Sequence, residues 1–168
     1  MKHLAILLLA SALAAPSAAL AQSKIAVVDS QRAAFGCADG LRAQSTLRKL
    51  FDNRQIELDK KQQQLAKEKD AIDKEAGKLS RDALQKKMEA WQRQVAEVQS
   101  AFVDYQRELK QKEQQLMQPI ESAVTAAVAR LAKGGGYDLV VERSAAPYFR
   151  ADFDLTDQVI TMLDSGKK

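Results

Sequence analysis

The residues that could do chemistry are few, and their spacing is wrong for most of it. Among 168 residues there is one imidazole, His3, and one thiol, Cys37. A Ser-His-Asp or Cys-His nucleophile system needs an imidazole beside the nucleophile, and a structural zinc site needs four convergent Cys or His ligands. Neither can be assembled here. His3 also lies in a segment expected to be removed. Cys37 has no second cysteine to pair with inside the chain, so it reads as a small buried hydrophobe. An interchain bridge or a reactive thiol is the alternative. Asp and Glu are plentiful, but along the middle of the chain they alternate with Lys and Arg, the pattern of a solvated helix surface rather than of paired acid and base carboxylates. Gly134-Gly135-Gly136 lacks the Lys-Ser/Thr continuation of a phosphate loop and closes a helical pattern instead of opening one. No catalytic residue, metal site or cofactor is expected, so the chain does not read as an enzyme.

What remains is surface for binding. Leu84, Met88, Trp91, Val95, Val98, Phe102, Tyr105, Leu109, Lys112 and Leu116 follow alternating steps of four and three. All but Lys112 are apolar or aromatic in a chain that is 46% hydrophobic, which makes this a strong heptad seam. An upstream run, Phe51, Leu58, Leu65, Ile72 and Leu79, repeats every seven residues. Its heptad partners, Arg54, Lys61, Glu68 and Glu75, are all charged. The upstream helix therefore has half a seam, which leaves part of the downstream stripe uncovered and available as a binding surface. A third feature is charge. From Lys74 to Arg93 six basic residues face three acidic ones, with Lys78, Arg81, Lys86 and Lys87 the candidates for an anionic lipid headgroup or an acidic polypeptide.

These surfaces need elements to carry them. Lys2 and His3, the apolar run Leu4–Ala15 and the Ala19-Leu20-Ala21 pattern predict a signal peptide over 1–21, cleaved after Ala21, and thus an exported protein. An uncleaved anchor is the competing reading, since Leu4–Ala21 could barely span a bilayer. Without Lys2 the chain carries 25 Lys and Arg against 22 Asp and Glu, too mild an excess for a nucleic-acid surface. Residues 22–40 form the first part of a base, with a strand over Lys24–Asp29, a helical turn at Arg32–Phe35 and an irregular stretch between Gly36 and Gly40. Residues 41–118 form an antiparallel helical hairpin rich in Gln, Lys, Glu, Ala and Leu. Its tip lies near 77–82, where Gly77 can end one helix and Ser80 cap the next. At 1.5 Å per residue such an arm projects roughly 57 Å. Pro119 marks a kink where the arm meets the base.

Residues 119–168 complete the base. The triple glycine ends the long helix, Tyr137–Glu142 is a second strand, and Pro147–Arg150 enters a third. Asp154 caps a last helix whose apolar face is Leu155, Val159, Ile160 and Leu163. The fold class is thus mainly α with a small β body. So small a base, with no disulfide or metal, is a poor candidate for independent stability. Ile25, Val27, Val28, Leu139, Val140 and Val141 are expected to pair between subunits in an oligomer.

Lys-Ile-Ala-Val-Val-Asp at 24–29, the long hairpin, Gln-Pro-Ile at 118–120, Gly-Tyr-Asp-Leu-Val-Val-Glu at 136–142 and Asp-Leu-Thr-Asp-Gln-Val-Ile at 154–160 stand in one order along the chain. In that order they resemble the Skp/OmpH family of periplasmic chaperones, over essentially the whole mature chain. The resemblance implies a jellyfish-shaped homotrimer, with strands from three bases forming a shared body and three hairpins enclosing a cavity. It implies a periplasmic chaperone that holds unfolded outer-membrane β-barrel proteins without ATP. A structural envelope coiled coil, or a protein of lipid surfaces, is the alternative.

Overall fold

The computed structural model describes residues 23–166, so the expected signal peptide lies outside the described residues. The base is built from both ends of that stretch. Strand β1 (Ile25–Val28) pairs in parallel with β2 (Leu139–Glu142), Ile25 opposite Leu139 and Val28 opposite Glu142. A parallel pair needs a long crossover connection, and here the whole helical hairpin serves as that connection.

Helix α1 (Ser30–Gly36) follows β1 at once, with the Asp29 carboxylate accepting the Arg32 N–H at 2.8 Å as its N-cap. It buries Ala33 and Ala34, and only Cys37 separates it from α2 (Ala38–Glu75). The irregular stretch expected between Gly36 and Gly40 therefore shrinks to one residue, and Gly40 lies inside α2. The reason for glycine there is contact: a Cβ at Gly40 would fall 1.9 Å from the Ala34 carbonyl oxygen. Removing that atom lets the two helices meet.

Helix α3 (Arg81–Gly135) returns along α2 after a tight turn. Ser80 caps it, its hydroxyl accepting the Ala83 N–H at 3.2 Å, with Asp82 in the first turn where the helix dipole favours an acid. Gly77 does not end a helix in the left-handed conformation, because the only positive φ among the described residues is at Gly136. Gly136, at φ 63°, closes α3 and its N–H reaches the Ala132 and Lys133 carbonyls. Pro119 sits inside α3, which runs through it as one element of 55 residues. Met117 and Ile120, buried on either side of the proline, hold the helix against the base.

The expected third strand does not form. Residues 143–153 carry two short 3-10 turns, Arg143–Ala145 and Ala151–Phe153. Strand character survives only as a bridge from Val27 to Asp154, with the Leu155 N–H donating to the Val27 carbonyl at 2.9 Å. Proline at 147 has no N–H to give a ladder. Helix α4 (Thr156–Ser165) starts one residue later than a cap at Asp154 would place it, with Leu155 at the cap position. Asp154 still serves its first turn, accepting the Thr156 N–H at 2.9 Å, while the Thr156 hydroxyl accepts the Asp29 N–H at 2.9 Å. One buried threonine thus ties α4 to the end of β1. The core gathers Val28, Ala33, Ala34, Cys37, Ala43, Met117, Ile120, Val124, Ala127 and Val159. It sits where α1, α3 and α4 meet.

Candidate functional site

The candidate surface is the hairpin. Its cross-arm partners run in opposite directions along the two helices: Arg54 meets Glu108, Leu65 meets Trp91, and Glu75 meets Lys87. The arms are therefore antiparallel and in fixed register. Of the half-seam, Leu58 and Ile72 in α2 are buried, Leu65 is partly covered and Phe51 is 53% exposed, while Leu79 lies past the end of α2, partly covered in the tip turn. In the α3 stripe Leu84, Met88, Trp91, Val95, Val98, Tyr105, Leu109, Lys112 and Leu116 are partly covered, and Phe102 is 50% exposed. The seam closes along one line and stays open beside it.

Charge enters the seam at mid-arm. The Arg54 guanidinium donates from Nε and Nη2 to the two carboxylate oxygens of Glu108 at 3.1 Å each, and from Nη1 to Glu57 at 2.9 Å. It also lies 4.6 Å from the centre of the Tyr105 ring. Tyr105 hydrogen-bonds Glu57, which with Arg54 holds that carboxyl below its ordinary range, and the same bond raises the tyrosine. Four polar side chains, two per arm, thus fix the pairing where the heptad has no apolar partner. Beside them opens a groove of about 300 Å³ lined by Leu50, Phe51, Leu58, Phe102, Tyr105 and Leu109, with Arg54, Gln55 and Gln106 at its edges. Farther out, the Trp91 indole donates to the Leu65 carbonyl at 2.9 Å, satisfying its one polar atom within the seam.

At the tip the charges are partly spent. Lys86 pairs with Asp82 at 2.8 Å, and Lys87 pairs with Glu75 across the arms, lowering that carboxyl. Lys78 and Arg81 are exposed and form no ion pair among the described residues. Among the described residues no group of His, Cys, Asp and Glu could hold a metal ion, and no helix is long and apolar enough to cross a membrane.

A family model described as outer membrane protein (OmpH-like) matches residues 24–163. The chain belongs to the OmpH-like family. A solved structure with the same fold is a protein from Caulobacter crescentus CB15 described as an outer-membrane chaperone (OmpH-like). It is 20% identical, with a TM-score of 0.80, and the match covers 87% of this chain and 86% of that one. No curated protein matches this sequence.

In this OmpH-like chain the base residues expected to pair between subunits divide in two. Val27 and Val28 are already buried within the chain, Val140 and Val141 are partly covered, and Ile25 and Leu139 stay open side by side in the sheet. Sequence reasoning missed the mid-arm cluster, having taken Arg54 as a break in the seam and the carboxylates as solvated surface. The signal was present: Arg54 and Glu57, and Tyr105 and Glu108, are each three apart, a spacing that puts both members of a pair on one helix face.

Proposed function

We propose that this OmpH-like chain is a holding chaperone of the periplasm. It binds unfolded outer-membrane β-barrel proteins and keeps them from aggregating, without ATP. It works as a homotrimer, with residues 22–40 and 119–168 of each chain in a shared base and the 41–118 hairpins around a cavity. The observation that carries this reading is the partly open seam. Phe51 and Phe102 stay half-exposed on the arm, as do Ile56 and Val103, a surface suited to clients of many sequences. The open pair Ile25 and Leu139 supports assembly through the base, since an uncovered apolar sheet edge is relieved by a partner. The deciding experiment is the light-scattering mass of the mature chain, alone and mixed with a urea-diluted outer-membrane barrel protein. A trimer that becomes a soluble complex with one client is expected. A rod-like dimer that lets the client precipitate would replace the reading with a structural coiled coil.

Lys78 and Arg81 favour one addition, contact of the tip with anionic lipid headgroups, screened by salt. Replacing Lys78, Arg81, Lys86 and Lys87 with Gln should then weaken binding to anionic liposomes at low salt. The larger loss is expected from the first two, which form no ion pair among the described residues. Unchanged binding would dispose of the addition.

A further inference from the structure

We propose that the mid-arm groove between Phe51 and Phe102 is a docking pocket for a single large apolar side chain, carried on an extended, uncharged stretch of unfolded polypeptide. The proposal rests on the holding reading and adds to it a place and a chemistry. The groove's volume, about 300 Å³, is at the small end of ligand pockets and suits one bulky side chain rather than a folded partner. Its walls are neutral except for Arg54. That guanidinium is already committed to Glu108 and Glu57 and stacked near Tyr105, so it has little left to offer an anionic headgroup. A second copy of the chain fits no better, because a stable interface buries on the order of 1,200–2,000 Å² and a groove of this size offers a small fraction of that.

An unfolded barrel strand fits. Its residues alternate apolar and polar, with aromatics at the ends of the apolar band. One side chain of such a strand can enter between the two phenylalanines while its neighbours point away. Gln106 lines the groove with a neutral amide that a passing backbone can meet, while the Gln55 amide is engaged with Asp59 at 2.9 Å. Leu58, buried in the seam, lines the groove as well. Specificity is then for side-chain bulk and lack of charge and not for sequence.

The test uses the mature protein and a fluorescein-labelled ten-residue peptide alternating Phe or Tyr with Ser or Thr, read by anisotropy. The same peptide with every aromatic replaced by Ser is the control. Two variants approach the groove from opposite directions: Phe51→Ser with Phe102→Ser removes its walls, and Gln55→Trp fills it. Saturable binding of the aromatic peptide is expected, weakened roughly tenfold in both variants at unchanged helicity, with no binding of the control. Binding within twofold in all three proteins would overturn the pocket. So would displacement of the peptide by anionic vesicles, or a fall in the protein's own mass in the variants, which would put lipid or a second copy there. Suppression of barrel-protein aggregation by the unmodified chain is measured separately. Failure there would sink the holding reading, while the peptide titration alone decides the groove.

Discussion

Glycine 40 is the residue at which helix propensity and packing give opposite answers. Inside a helix Gly→Ala normally stabilises by about 1 kcal/mol. A Cβ at Gly40 would meet the Ala34 carbonyl at 1.9 Å, a backbone atom that cannot swing away. Gly40→Ala should therefore destabilise, by about 2 kcal/mol or more, as the α1–α2 junction opens. Gly136→Ala, a left-handed position with open space around it, should cost about 1 kcal/mol from the backbone alone. Gly77→Ala, with neither constraint, should be neutral or slightly stabilising. Urea unfolding of the three variants gives the order, and a stable Gly40→Ala protein would show that the junction relaxes more easily than its geometry implies. Asp154 offers a second test at this scale. Burial raises its carboxyl, but hydrogen bonds from the Thr156 hydroxyl and N–H, with the charges of Arg32 and Arg143, outweigh burial and leave it below its ordinary value of 3.8. A depressed folded pKa means that the contribution is complete above the unfolded value and is lost as pH falls through the folded one. Thermal melts from pH 7 downward should show stability falling below about pH 4, and less steeply in Asp154→Asn, which keeps an oxygen for Thr156 but no charge. Parallel curves would assign the acid sensitivity to other carboxylates.

At the scale of elements, the hairpin divides its apolar residues by cover and not by type. Leu58 is buried and Phe51, one heptad earlier, is open. Leu58→Ala should cost about 2–4 kcal/mol, as core truncations do, while Phe51→Ala should cost well under 1 kcal/mol although it removes the larger group. Equal losses would mean that the groove closes in solution over Phe51. The elements themselves were largely legible in the sequence. The period of seven from Phe51 to Ile72, the four-three steps from Leu84 to Leu116, the Ser80 cap and the glycines at 134–136 each carry a local physical signal, and each falls in or at the end of the helix that it predicts, Leu79 alone lying past the end of α2. What failed were features decided by contact at a distance. The Pro147–Arg150 segment pairs with neither strand and runs between the two 3-10 turns, because Pro147 has no N–H to give a ladder. Gly40 reads as a breaker until α1 is seen lying against it. The groove was invisible for the same reason, since it needs the lateral offset of two helices, and a heptad pattern says only that they touch.

For the molecule as a whole, the uneven distribution of cover predicts where it opens first. The buried residues cluster in β1, α1, α4 and the last part of α3, and the arm beyond Ala43 contributes only Leu58 and Ile72. Its other seam residues are partly covered or exposed, and polar ties join the arms beside them: the Arg54 cluster, Lys87 with Glu75, and the Trp91 indole on the Leu65 carbonyl. Local stability follows buried apolar contact, because exposed polar ties are exchanged for water at small cost. Native-state hydrogen exchange should therefore resolve two classes. Amides of α2 and α3 from about Arg54 to Phe102 should exchange through openings of low free energy. Those of β1, α1 and the 117–128 part of α3 should exchange only near global unfolding. Salt should accelerate the first class more than the second, since it screens the polar ties and leaves burial untouched. Such an arm could reshape its seam while the base that aims it stays folded, the combination that the proposed holding function needs. Uniform protection along the whole chain, unaffected by salt, would contradict it and would make the hairpin a rigid spacer.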